Sequence, residues 1–275
     1  MSFEYTTPVI TKWRLDEFLN TIDEFENLLA DKVQDKDFES NSYEMALLHI
    51  SGKSIVTTRE VLTLCAHGYP DGALSLARNL YEQMITIAFF ESRKNQQDFQ
   101  DYVDDYYLNY EYQRNKSLRS INNYVPDDNY EELVNEHEGI KKRAKHNVKG
   151  DYWWTGYSNF QNLVDQVMKQ QSDADLCLFL GIQYARYKRA CVSLHANCMG
   201  NSIRLGSTSG FNVVDTSPTV YGHSTVLMFA IASLIHILGC VCNFYQIDST
   251  KILKALNELA AYYQSREQND KKIED

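Results

Sequence analysis

From Val226 to Phe244 the chain is apolar nearly throughout, with Ser233, His236, Gly239 and Asn243 as its polar or small interruptions. A helix of that composition has no face to give to water, so it must be enclosed on all sides, by other helices or by lipid. His236 and Asn243 are costly in hydrocarbon, and no lysine or arginine anchors flank the run. The expectation is therefore a central helix surrounded by its neighbours, with a membrane span as the less favoured alternative.

The remaining chain supplies such neighbours. Only four prolines and twelve glycines punctuate 275 residues, and stretches rich in Leu, Ala, Glu, Gln and Lys run unbroken between them, which favours helices over short strands. The 44% hydrophobic content suffices for a sizeable core.

Amphipathic periodicity predicts a first helix over 12–31 through Trp13, Leu15, Phe18, Ile22 and Phe25. A second runs from Tyr43 to His67 and stops at Gly68-Tyr69-Pro70, a helix end followed by proline near the next start. The third, about 71–93, is largely apolar but carries Arg78 and Glu82 one turn apart; on a buried face such charges must satisfy each other or a third group. Residues 96–119 read as a solvated, Tyr- and Asp-rich helix, followed by a short charged helix ending near Lys145 and a loop at 147–156. Ser158 or Asn159 is a candidate cap for a helix through Met168, and Asp173 for a seventh helix to about Ile203. The Ser/Thr/Gly-rich stretch 206–218 reads as a linker before the apolar helix, and Asp248 or Ser249 caps a last helix through Tyr263. The architecture expected is all-α, a single bundle of about eight or nine helices over residues 1–265, with a polar tail at 266–275.

A net charge of −10 disfavours any general affinity for nucleic acid, so an RNA partner would need a local basic patch. One stretch qualifies. Lys141, Lys142, Arg143, Lys145 and Lys149 stand without an acid among them, and Trp153 and Trp154 follow closely. Cations with aromatics can hold a phosphate backbone and stack an unpaired base; equally, cations suit a helix C-terminus and tryptophans dock loops on cores. Six cysteines without a Cys-x-x-Cys pair, mostly in apolar helical stretches, and a start lacking the features of a secretion signal lead to the expectation of a cytoplasmic protein.

In the seventh helix Tyr187, Cys191 and His195 lie four apart, so one face carries a phenol, a thiol and an imidazole. His195 is the candidate general acid or base, and Arg189 a candidate cation for a phosphate oxygen. Six residues rotate Arg189 about 240° from His195 and shift it ~9 Å along an ideal helix. Convergence on one phosphate would need a distorted helix, a reaching side chain or a second copy of the chain, hence the expectation of a homodimer. The alternative is a histidine hydrogen-bonded within the bundle and a surface arginine. Phosphate-binding, dinucleotide-binding, nucleophile-elbow and His-Glu-x-x-His motifs are absent, and Glu44 with His49 and Glu136 with His137 have the wrong spacing for a di-iron bundle. No cofactor or metal is expected.

Two blocks resemble a known family: residues 68–82, containing Ser75-Leu76-Ala77-Arg78-Asn79-Leu80-Tyr81-Glu82, and the tyrosine-rich block ending at His195, preceded by Trp153 and Trp154. The chain resembles a family of helical, mostly bacterial proteins known only as a domain of unknown function, whose helices read Ser-Leu-x-Arg-x-Leu-x-Glu and Tyr-x-x-x-Ser-x-x-x-His. Cys191 stands where that pattern has serine. The resemblance spans roughly residues 45–205, and it implies a helical fold in which Arg78, Glu82, Tyr187 and His195 gather. Arg189-x5-His195 is similar to the Arg-x(4 to 6)-His pattern of HEPN ribonucleases, which are common among toxins and phage-defence effectors. That similarity implies a metal-independent endoribonuclease with His195, Arg189, Arg78, Glu82 and Tyr187 at its site. The alternative is a non-enzymatic helical module that binds a protein regulator or small ligand around Arg78, Glu82 and Tyr187.

Overall fold

The computed structural model describes residues 14–34, 42–121, 124, 130–170, 174–194 and 222–274. Among them are nine α-helices and no strand, as the all-α reading expects. They are α1 (Leu15–Val33), α2 (Ser42–Ala66), α3 (Pro70–Arg93), α4 (Phe99–Ile121), α5 (Tyr130–Arg143), α6 (Phe160–Gln170), α7 (Ala174–Leu194), α8 (His223–Tyr245) and α9 (Thr250–Glu274), with a 3-10 turn at Trp153–Thr155.

Contacts group the chain into two compact units. The first comprises residues 1–37, 47–87 and 178–275, and the second residues 38–46 and 88–177. Three of their four boundaries fall inside α2, α3 and α7, where no break in composition marks them.

In the first unit α8 contains the apolar run 226–244. It is the one helix among the described residues long and apolar enough to cross a bilayer, and 67% of its most apolar window is buried within the protein. Phe229, Leu234, Ile237 and Val241 are fully enclosed. α9 packs along α8 and α1 along α9, with Leu256, Leu259 and Tyr263 of α9 and Phe18, Ile22 and Phe25 of α1 wholly buried. α9 runs to Glu274, well past the expected end at Tyr263, because its Gln-, Glu- and Lys-rich continuation consists mostly of good helix formers.

Helix ends follow local chemistry. Gly68 takes φ 82° at the close of α2, its N–H donating to Cys65 O and that of Tyr69 to Leu64 O, so the last carbonyls are satisfied before Pro70 opens α3. The Asn159 side chain accepts from the N–H of Asn162 at 3.0 Å and starts α6, and Asp248 accepts from the N–H of Thr250 at 3.0 Å and starts α9. Those hydrogen bonds from Thr250 hold the Asp248 carboxyl below its usual range. The cap expected at Asp173 and the linker at 206–218 lie outside the described residues.

In the second unit α4 lies against α5 and against the 3-10 turn. Trp154 packs on Phe89, Phe90 and Tyr106 at centroid distances of 5.6, 5.4 and 5.0 Å. Burial pushes the Tyr106 phenol up to about 12. Gly150 has φ +83°, and a Cβ there would meet the Ser158 carbonyl oxygen at 1.9 Å. Gly150→Ala should therefore lower stability by about 3 kcal/mol or more, from left-handed backbone strain plus a clash with main chain. Urea unfolding of wild type and variant checks this, and an unchanged midpoint would show that the loop relaxes freely.

Candidate functional site

The third helix buries Ala77, Leu80, Tyr81, Met84 and Ile85 completely. Arg78 and Glu82 stand at the border of that face, with side chains 27% and 26% exposed. Their separation of four residues puts them one turn apart, and Arg78 Nε lies 3.2 Å from Glu82 Oε1. That nitrogen is shielded from solvent without meeting hydrogen-bond geometry, so the contact is an ion pair whose angle is poor. The same carboxylate oxygen accepts the Tyr187 hydroxyl of α7 at 3.1 Å. The Arg78 guanidinium carbon sits 5.9 Å from the centre of the Tyr187 ring.

Aromatic packing fixes the phenol. Tyr187 stacks with Tyr184 at 5.9 Å and an interplanar angle of 13°, and Tyr81 lies beneath at 5.3 Å. Tyr81 is itself fully buried, touches Phe229 of α8 at 5.7 Å and donates to Leu180 O at 3.4 Å. Burial pushes its phenol far above the ordinary range, so it is a packing group and not a proton donor at neutral pH. Tyr187 thus presents one edge to Glu82 and its ring to Arg78, on rigid helices. Tyr81 and Gln183, both buried here, were not singled out from sequence; Tyr81 carried a signal, being one residue before Glu82 on the apolar face.

Three of the residues expected to gather from the family resemblance, Arg78, Glu82 and Tyr187, do so across 105 positions of sequence. Arg189 is exposed, two residues beyond Tyr187 on α7, and Cys191 is half-buried one turn on. His195 lies outside the described residues.

The basic stretch is arranged differently from the expected RNA platform. Lys141 pairs with Glu138 at 2.9 Å and Arg143 with Glu111 at 2.5 Å; among the described residues Lys142, Lys145 and Lys149 are exposed without an acidic partner. Trp153 is 0% and Trp154 3% exposed, so neither offers a face on which a base could stack. These tryptophans hold the loop on the core of the second unit, because covering so large an apolar ring outweighs leaving it for a ligand.

What organises this stretch is a carboxylate on the helix expected to be solvated. Asp105 of α4 is 1% exposed and accepts the backbone N–H of Lys145 at 3.0 and 3.1 Å, the backbone N–H of His146 at 2.8 Å and His146 Nδ1 at 2.8 Å. Three donors satisfy the buried carboxylate and fix the chain just past the end of α5. The His146 ring stacks on Tyr102 at 4.4 Å.

Residues 44–212 match a family described as a family of unknown function, DUF5677. The chain belongs to that family. No curated protein and no solved structure shows a match. The matched span takes in Arg78, Glu82, Tyr187 and the Asp105–His146 pair, all of which this DUF5677 protein holds in helices or immediately beside them.

Asp105→Ala would leave two backbone donors and an imidazole nitrogen without their acceptor. The expected loss is about 3 kcal/mol, read by denaturant titration, with faster amide exchange at Lys145 and His146. Wild-type protection at those two amides would show that the carboxylate does not anchor the loop.

Proposed function

We propose that this protein is a metal-independent endoribonuclease, similar to HEPN ribonucleases and of the kind found among bacterial toxins and phage-defence effectors. The observation that carries the reading is the cluster of Arg78, Glu82 and Tyr187, in which one carboxylate engages a guanidinium and a phenol from distant parts of the chain. A fixed, part-exposed cation beside an aromatic ring supplies charge stabilisation for a non-bridging phosphate oxygen without rearrangement during reaction. In this reading His195, eight residues beyond Tyr187 in the sequence, takes the proton of a ribose 2′-hydroxyl and returns one to the leaving oxygen. Arg189 adds a second cation, contributed across a two-fold axis in a homodimer.

A second reading is a non-enzymatic module that recognises a small anionic or aromatic ligand, or a regulator protein, at the same cluster. The stacked, half-exposed faces of Tyr184 and Tyr187 beside Arg78 favour it.

The test is incubation of the purified full chain with mixed cellular RNA in the presence of a chelator. Cleavage by wild type, loss of cleavage in His195→Ala with unchanged helical circular dichroism, and a fall of about 100-fold in Arg78→Ala support the nuclease. Absence of products from the wild-type homodimer, or full activity of His195→Ala, contradicts it.

A further inference from the structure

His146 has a role that loop anchoring does not account for. Its backbone N–H already secures the main chain to Asp105 at 2.8 Å, yet its ring nitrogen Nδ1 is also held by the same carboxylate oxygen at 2.8 Å. The ring is clamped a second time by stacking on Tyr102. On its other side the Cδ2 edge faces Gly156, where an added Cβ would stand 3.7 Å away. A ring so fixed has one remaining polar atom, Nε2, on the edge opposite the carboxylate. The side chain is 20% exposed, and it lines a recess of about 550 Å³ together with Lys141, Ala144, Lys145, Asn147 and Val148.

The lining has a definite chemistry. Two ammonium groups and an imidazole border the recess, with an amide side chain beside them; the Lys141 ammonium is held by Glu138 at 2.9 Å, and no carboxylate lies among the lining residues. The Lys145 side chain is exposed, and among the described residues it has no acidic partner. An imidazole whose Nδ1–H is given to a carboxylate is held in one tautomer and one orientation, the arrangement that presents Nε2 to a reacting or bound group. Doubly protonated, it donates from both nitrogens, one to Asp105 and one outward.

We propose that this recess binds a phosphate group, with the His146 imidazolium donating from Nε2, Lys145 as the unpaired flanking cation, Lys141 as a second cation shared with Glu138, and Asp105 as the positioning residue behind the imidazole. The site lies wholly within the second unit and shares no residue with the cluster at Arg78, so it does not depend on the nuclease reading. The phosphate can belong to a nucleic-acid strand or to a free phosphate or phosphomonoester. Both present the same oxygens to Nε2 and the lysines.

The experiment is a titration of the full chain, with histidine rings labelled in nitrogen-15, followed by nuclear magnetic resonance. Inorganic phosphate is one arm, and a short single-stranded deoxyoligonucleotide, free of the 2′-hydroxyl, is the other. Saturable movement of the His146 Nε2 resonance, beyond that caused by chloride at equal ionic strength, is expected. His146→Gln should weaken binding about tenfold, as loss of a charge-assisted hydrogen bond does. Lys145→Ala serves as the variant that preserves the fold, because Lys145 reaches Asp105 through its backbone N–H alone; it should weaken binding by a smaller, salt-dependent factor. Stronger binding of the oligonucleotide than of inorganic phosphate assigns the group to a nucleic-acid backbone, and the reverse assigns it to a free dianion. A His146 resonance that responds to phosphate no more than to chloride, or equal affinity in wild type and Lys145→Ala at low salt, overturns the proposal.

Discussion

Glu82 is the point at which an apolar helix carries a charge it must answer for. α3 buries most of one face, and at the border of that face the Glu82 carboxylate accepts the Tyr187 phenol and faces the Arg78 guanidinium at 3.2 Å. A carboxylate a quarter exposed gains a modest amount from either partner alone. Its effect is geometric: three groups of different chemistry share one small region, and Tyr81 and Tyr184 pack on the Tyr187 ring. The functional proposal for the first unit rests on that fixed geometry, since a cation that must reorganise to meet a transition state contributes little to rate.

The second unit solves a related problem with a different outcome. Asp105 is enclosed almost completely, and it persists there because three donors converge on it. Two of those are main-chain groups just beyond α5, and the third is the His146 ring. The same interaction that ends the helix therefore sets an imidazole at the edge of a cationic recess. Trp153 and Trp154 complete the arrangement from within by filling the core under the loop.

The fold was legible because its signals are long. The apolar run around 226–244, the Gly68-Tyr69-Pro70 break and the side chains of Asn159 and Asp248 placed helices and their starts close to where they stand. Arg78 and Glu82 were conspicuous for being charged on an apolar helix, and the family pattern joined them to Tyr187. Asp105 was hidden, because a buried aspartate among Asp98, Asp101 and Asp104 has the same composition as a solvated one; only the chain folding back at Lys145 distinguishes it. The tryptophans were ambiguous for a similar reason, as an indole beside lysines suits either a base or a core. The two compact units were invisible, three of their four limits lying inside continuous helices.

Glu82 couples α3 to α7 through Tyr187. A double-mutant cycle with Glu82→Gln and Tyr187→Phe, followed by urea unfolding, measures it directly. A coupling free energy of about 1 kcal/mol is predicted for the hydrogen bond to a charged acceptor. Additivity of the two substitutions within about 0.3 kcal/mol would contradict the account.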